Sequence, residues 1–354
     1  MGLSDIVRAV EHRINARGVR RKTEAGWVPE IIPFRGYGTS NRVHVIGRVL
    51  MEDPEFDDET PIEVDEEGNR RTQVEQVSTQ AQRGYRQFFT IQVGDHPVTV
   101  HAGRHTVRTR TNGNGYFDVL VEDHGLDTGW QEVTIEAEGA ETVTAEVLIT
   151  ADDAPIGIVS DVDDTIMVTN LPRALHAAYN SWFVHTNQRK PVEGMAEFYT
   201  RLLEENPDAP VFYLSTGAWN TYETLCTFIE EHNFPKGPLL LTDWGPTPTG
   251  LFRSGQEHKK VQLRNLFIDY PNTEWILIGD NGQHDPLTYA DAIQEHPDRV
   301  KGVAIRELTP TEHVLSHGTA SSLVDVERTD REGTPSISAP DGHALLDEYR
   351  KVIR

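Results

Sequence analysis

The stretch PIGIVSDVDDT, residues 155–165, reads as a short buried strand that runs directly into three carboxylates, Asp161, Asp163 and Asp164. Two further stretches repeat the plan. VFYLSTG, residues 211–217, is an apolar run ending in Ser215 and Thr216, and WILIGDNGQHD, residues 275–285, ends in Asp280 and Asp285. Between them the apolar spacing changes to a helical period. PVEGMAEFYTRLLEENP places Val192, Met195, Phe198, Tyr199, Leu202 and Leu203 on one stripe, and NTYETLCTFIEEHNF spaces Tyr222, Leu225, Phe228 and Ile229 in the same way. LLLTDWG, EHKKVQLRNLFIDYP, DPLTYADAIQEHP and VKGVAIREL continue the alternation. Residues 151–308 are therefore expected to form an α/β unit whose mostly parallel sheet is covered on both faces. Ligands of such sheets gather beyond the carboxyl ends of the strands, where these polar groups sit.

Working outward, residues 28–150 carry a different signal. VPEIIPFRGYGTSNRVHVIGRVL alternates at Val43, Val45, Gly47 and Val49, and FFTIQV, HPVTVHA, GYFDVLVE and VTAEVLIT are short strand-like runs separated by NGNG and HGLDTG turns. A separate β-sandwich-like domain is expected there. Inside it, EDPEFDDETPIEVDEEGN packs 10 acidic residues into positions 52–69 and matches no cation-loop spacing, so it reads as a solvated loop. Residues 1–27 are expected as an N-terminal helical segment with Leu3, Ile6, Val7 and Val10 on one side. Residues 309–354 are expected as an irregular tail with a possible terminal helix at ALLDEYRKVIR.

Composition bounds the rest. The chain has 354 residues, enough for two domains, with 56 Asp+Glu against 33 Lys+Arg and a formal net charge of -23. Nonspecific nucleic-acid wrapping needs a basic track, which this balance disfavours; salt adaptation also produces such a surface. The single cysteine, Cys226, has no partner for an intrachain disulfide and reads as a small packing group. The opening residues lack a signal-type apolar core, and no run approaches the roughly 20 apolar residues of a membrane span. The expectation is a cytoplasmic protein, peripheral to a membrane if its substrate is a lipid.

Several carboxylates converging on one pocket repel one another unless a cation intervenes, and a hard divalent ion such as Mg²⁺ suits oxygen ligands and polarises phosphoryl groups. The competing reading is that these acids are helix caps and solvated loop groups.

The order DVDDT, LST, a downstream lysine and GDNGQHD resembles the haloacid dehalogenase-like phosphohydrolase superfamily. More narrowly, SDVDDTI, YLSTGAWN, the HKK segment and IGDNGQHDP resemble the catalytic domain of App1-type phosphatidate phosphatases, over roughly residues 155–308. The resemblance implies a haloacid dehalogenase-like Rossmannoid sheet and an Mg²⁺-dependent phosphomonoester hydrolase. It assigns Asp161 as the nucleophile that forms an aspartyl-phosphate, and Asp163 as the acid that protonates the departing alkoxide and then activates water. The metal would be met by the Asp161 carboxylate, the Asp163 carbonyl and Asp280. Asp285 would either bind it, orient a metal-bound water, or cap the helix that begins at Pro286. Ser215 is the expected phosphate-binding hydroxyl, with Thr216 and Gly217 extending the cradle. Lys259 fits the family lysine, with Lys260 the rival about 100° around the helix and His258 beside them. Asp164 is expected to support the turn, and Thr165 to cap or brace the helix or flap next to it in the chain.

The substrate is less legible. TIMVTNLPRALHAAYNSWFVHTNQRKP, residues 165–191, is long enough for a flap or small cap, in which Leu171, Leu175, Tyr179, Trp182 and Phe183 are candidate lining residues, as is Trp219 in the later loop. The resemblance implies phosphatidate, hydrolysed to diacylglycerol and phosphate. A soluble phosphomonoester or a nucleic-acid end is the alternative within that chemistry. A noncatalytic phosphate-binding or protein-interaction module is the alternative outside it.

Overall fold

The computed structural model describes residues 19, 21–52, 91–168, 189–242, 255–282, 284–317 and 333–353. Most of the expected N-terminal helix, the acidic loop beyond Glu52, and the candidate lining residues Leu171, Leu175, Tyr179, Trp182 and Phe183 lie outside them. The chain divides into two compact units, the first holding the strands up to Ile149 and the second the strands and helices that come after.

The first unit contains β1 (Val28–Thr39), β2 (Arg42–Glu52), β3 (Pro97–Ala102), β4 (His105–Arg110), β5 (Tyr116–Glu122), β6 (Gly129–Ala137) and β7 (Val143–Thr150). They form one seven-stranded sheet in the order β4-β3-β6-β7-β1-β2-β5. Every second side chain turns inward. Val43, Val45 and Val49 of β2, Phe117, Val119 and Val121 of β5, and Ala145, Val147 and Ile149 of β7 share one core. The edge strands β4 and β5 also touch, so the sheet is nearly closed and sandwich- or barrel-like. Within residues 28–50, where the apolar alternation marks one strand, the structure has an antiparallel pair. Pro29, Pro33, Gly36 and Gly38 interrupt the pattern of β1, and its register shifts between Phe34 and Tyr37.

The second unit contains β8 (Ile156–Ser160), α1 (Met195–Glu205), β9 (Val211–Ala218), α2 (Tyr222–Glu231), β10 (Leu239–Thr242), α3 (Gly255–Asp269), β11 (Glu274–Asp280), α4 (Asp285–Glu295), β12 (Val300–Arg306), α5 (Pro310–His317), β13 (Ser336–Ala339) and α6 (Gly342–Val352). Its six strands run in the order β10-β9-β8-β11-β12-β13, and every neighbouring pair is parallel. The central strands are buried almost end to end, as sheets covered on both faces require. Helix α1 packs on α6 and α3 packs on α4. Met195, Phe198, Tyr199 and Leu202 form the buried stripe of α1, and the Phe198 ring meets Tyr349 of α6 edge-on with centroids 6.1 Å apart. Each such buried side chain contributes about 1.5–3 kcal/mol.

The stretch 309–354, expected as an irregular tail with a possible terminal helix, holds a helix there and more regular structure before it than that reading allowed. Ser336–Ala339 pairs with β12 as a sixth strand, and α6 begins at an N-cap where Asp341 accepts from the Ala344 amide at 2.9 Å. A four-residue strand of alternating serine and apolar residues is too short to carry a periodicity of its own. The order of strands reverses between β8 and β11, and the chain leaves both at their carboxyl ends with acidic residues. Such a switch point opens a crevice for ligands. No helix among the described residues is long and apolar enough to cross a membrane.

Candidate functional site

Asp161 is the first residue past β8, and its amide donates to the Ile278 carbonyl of β11 at 2.9 Å, which ties the two acidic strand ends together. The chain then turns sharply. The Val162 carbonyl accepts from the amides of Thr165, Ile166 and Met167, while the Asp164 amide donates to the Met167 carbonyl at 2.8 Å. Asp164 takes φ 59, a left-handed conformation that Asp tolerates better than bulkier residues. Val162, Ile166 and Met167 are buried beneath this turn, so hydrophobic packing fixes what the acidic side chains then use.

The carboxylates of Asp161, Asp280 and Asp285 each place an oxygen within 4.8 Å of the others, and all three residues are buried. Lys259 of α3 lies among them. Its Nζ donates to Asp161 Oδ1 at 2.6 Å and to Asp285 Oδ1 at 2.5 Å. The second Asp161 oxygen accepts from the Thr165 hydroxyl at 3.1 Å. Asp280 Oδ1 accepts from the Gly282 amide at 2.7 Å, but its Oδ2 is buried with no hydrogen-bond partner among the described residues. Asp285 also accepts from the Asp280 amide through Oδ2 at 3.4 Å, across a position where only glycine fits, since a Cβ on Gly279 would fall 2.5 Å from that oxygen.

One lysine faces three carboxylates, and the imbalance appears in their proton affinities. Burial pushes Asp161 up to about 8, with Asp285 and Asp163 adding to the rise against the opposing pull of Lys259. Burial likewise raises Asp280 well above the carboxylate range, helped by Asp285 and Asp161. Burial alone would depress the Lys259 ammonium, but Asp161 and Asp285 outweigh it and hold the group above its ordinary value. Such a cluster is short of positive charge. A divalent cation fits it on two grounds: hard oxygen donors from two strand ends, and an orphaned buried oxygen on Asp280.

The pKa of Asp161 gives a pH test. Its folded value, about 8, exceeds the ordinary 3.8, so between these limits the folded chain holds a proton that the unfolded chain releases. The contribution of this group to stability therefore falls as the pH rises from about 4 to about 8. In chelator, the melting temperature of the wild type relative to Asp161→Asn is expected to decline across that window. Mg²⁺ should raise the wild-type value more at pH 8 than at pH 5, because the ion displaces the proton. A pH-independent difference between the two proteins would contradict this charge balance.

Other expected residues are distributed around the trio. Asp163 is buried, and its Oδ2 accepts from the Ser215 hydroxyl at 3.3 Å rather than joining the other three carboxylates. Ser215 Oγ also accepts from the Gly217 amide at 2.9 Å, so Ser215 and Gly217 sit together beside Asp163. Thr216 is half-buried and faces Gly255, where an added Cβ would approach its methyl at 2.7 Å. Lys260, the rival of Lys259, makes a partly exposed ion pair with Asp291 at 2.5 Å. Buried His258 places Nε2 3.3 Å from the Leu240 carbonyl. Trp219 is buried in a 3-10 turn, its ring 6.1 Å from Tyr222. Asp285 is not a helix cap: the N-cap of α4 is His284, and the Asp285 carboxylate turns to Lys259 and the Asp280 amide instead.

Sequence reasoning missed two contacts. Thr165 was expected to brace the chain after it, whereas its hydroxyl holds Asp161; a hydroxyl four residues past the aspartate in a tight turn was the available signal. Arg306 had no local signal beyond a charge at the end of an apolar strand. Its Nη1 donates to the Asp164 carbonyl at 2.8 Å, its Nη2 pairs with Glu312 at 2.5 Å, and its own carbonyl accepts from the Asn281 amide at 3.0 Å. One buried residue thus links the turn after Asp161 to the turn after Asp280. Arg306→Ala leaves Glu312 without this partner and is expected to cost about 3–5 kcal/mol in urea unfolding. A loss below about 1 kcal/mol would show that the link carries no weight.

The stretch that carries this cluster also matches known proteins in sequence. Residues 156–307 match the sequence family described as the catalytic domain of phosphatidate phosphatase APP1. Phosphatidate phosphatase APP1 of Saccharomyces cerevisiae is 29% identical over 152 residues, covering 43% of this chain and 26% of that protein. An uncharacterized protein of Schizosaccharomyces pombe is 24% identical over 154 residues, covering 43% of this chain and 25% of its own length. The chain thus spans about a quarter of each curated relative. Among solved structures, the HAD domain of the effector protein Lem4 from Legionella pneumophila matches with 16% identity and a TM-score of 0.29, over 44% of this chain and 87% of that one. Within the stretch that matches the catalytic-domain family lies a cluster of three aspartates able to coordinate a metal, an arrangement consistent with phosphoester hydrolysis.

Proposed function

We propose that the second unit is a haloacid dehalogenase-like, Mg²⁺-dependent phosphomonoester hydrolase working through an aspartyl-phosphate, with phosphatidate as its substrate. The observation that carries this reading is the meeting of Asp161, Asp280 and Asp285 around Lys259 at the reversal point of the parallel sheet.

Asp161 is the nucleophile: one carboxylate oxygen forms a bond to phosphorus while the bond from phosphorus to the alcohol oxygen breaks. Lys259 and the Thr165 hydroxyl hold that carboxylate in one orientation, which removes rotational freedom before the attack. Asp163 gives a proton to the departing alkoxide and then takes one from the water that cleaves the acyl phosphate. The Ser215 hydroxyl, held by the Gly217 amide, positions Asp163 and would donate to a phosphoryl oxygen by rotating away from that carboxylate. Asp161, Asp280 and Asp285 would hold the divalent cation with the Asp163 carbonyl, and its chemistry is to neutralise charge on the phosphoryl group. Asp285 contributes through its carboxylate while anchoring Lys259.

A soluble phosphomonoester is the second reading, favoured by the formal net charge of -23, which opposes approach to an anionic membrane. Phosphate release by the purified chain separates the two. The assay uses phosphatidate in mixed micelles, glycerol 3-phosphate and a 5′-phosphorylated oligonucleotide, each with Mg²⁺ and with chelator. Metal-dependent release, largest on phosphatidate, is expected. Release confined to the soluble esters would favour the second reading, and no release from any of the three by a folded chain would overturn the function.

A further inference from the structure

The corner where β9 and β10 end holds polar groups that the carboxylate cluster does not employ. Asn220 is 6% exposed, and among the described residues neither its Oδ1 nor its Nδ2 has a hydrogen-bond partner. Thr242, the last residue of β10, is also 6% exposed, and its Oγ1 has none there either. The parallel register sets Thr242 against Ala218, two residues before Asn220, so both groups belong to one corner of the sheet. A buried polar group left unpaired costs about 1–3 kcal/mol, so such groups in native chains meet water or a ligand.

Helix capping does not account for Asn220. Asparagine is a favoured N-cap, but the N-cap of α2 is Thr221, no side chain caps that helix, and the Thr221 hydroxyl turns back to the Ala218 carbonyl at 2.7 Å. Ser215, the partner of Asp163, lies near the end of β9, the strand that leads into this turn. A Cβ on Gly217 would lie 3.2 Å from Ser215 Oγ and 3.4 Å from Thr221 Oγ1, so only a glycine's width separates the Ser215 cradle from the Trp219–Thr221 turn.

The chemistry of these groups selects a ligand class. A carboxamide and a hydroxyl each offer donor and acceptor and carry no charge, so they suit neutral oxygens rather than the phosphoryl group itself. We propose that Asn220 and Thr242 form a subsite for the alcohol part of the substrate, taking hydroxyl or ester oxygens borne next to the phosphoester. The subsite rests on the phosphomonoester hydrolase reading and adds a specificity determinant to it.

The test compares two kinds of phosphomonoester in Mg²⁺. Glycerol 3-phosphate and dihexanoyl phosphatidate carry such oxygens; phenyl phosphate and hexyl phosphate carry none. Asn220→Ala is expected to lower kcat/KM on the first pair roughly 10–100-fold and to stay within about 2-fold on the second. Thr242→Val keeps the side-chain volume and should show the same selective loss if Asn220→Ala fails to fold. Equal losses on both pairs, as a purely structural role gives, or no loss on the oxygen-bearing esters, would overturn the subsite. A wild type that hydrolyses none of the four overturns the underlying function, a failure visible before any variant is made.

Discussion

Replacing Asp161 by asparagine is expected to reduce phosphate release by about 10⁴-fold or more while the chain stays folded. The amide has nearly the shape of the carboxylate, its one oxygen can still accept from Lys259 while its nitrogen turns a donor toward the Thr165 hydroxyl, and the 2.5 Å contact between Lys259 and Asp285 stays in place. What it lacks is the negatively charged, nucleophilic oxygen that forms the bond to phosphorus. Rapid acid quench with ³²P-labelled substrate should trap label on the wild type and none on Asp161→Asn. Residual turnover within about 10-fold of the wild type would show that another group attacks phosphorus. The retained fold is checked by urea unfolding, so loss of structure and loss of chemistry are read separately.

Lys259→Met is expected to act on stability and activity together. Methionine keeps the length of the side chain and removes the ammonium in contact with Asp161 and Asp285. Two buried carboxylates then face each other and Asp280 without that counter-charge, a situation that costs about 3–5 kcal/mol. The sign with pH is fixed by the direction of the shifts: Asp161 and Asp280 already bind protons more tightly than ordinary carboxylates, so acid neutralises them and the penalty shrinks as pH falls. Mg²⁺ should restore part of the loss at neutral pH by supplying the missing charge. Turnover should remain about 10²–10³-fold low even when stability is recovered, because the nucleophile has lost its orienting partner. A Lys259→Met chain as stable in chelator as the wild type would contradict the electrostatic balance described for the cluster.

The sequence carried the second unit's plan because its strands are apolar runs with chemistry at their ends. Asp161, Asp280 and Asp285 announce themselves as acids placed after Ser160, Gly279 and the NGQH turn. The choice between Lys259 and Lys260 was also latent. Leu263, Leu266 and Phe267, four, seven and eight residues beyond Lys259, are buried with it, so the apolar stripe of α3 already marks the side on which Lys259 lies. Sequence spacing could not show Arg306, because its link to Asp164 joins residues 142 apart and depends on β12 taking its place beside β11. Asn220 stands in the YLSTGAWN motif with nothing in the sequence to single it out, since its interest is a buried amide with no described partner, a fact of packing. The strand Ser336–Ala339 was invisible for a similar reason: its edge position is set by β12 rather than by its own four residues.

Asp161 and Asp280 at two strand ends and Asp285 in the first turn of α4 would share one hard cation, and crystals soaked in Mn²⁺ as a scattering stand-in for Mg²⁺ would reveal it. A single strong anomalous peak is expected in contact with oxygens of Asp161, Asp280 and Asp285, lost in Asp280→Asn. A cation bound elsewhere, with these carboxylates still sharing only Lys259 at metal concentrations that support turnover, would contradict it.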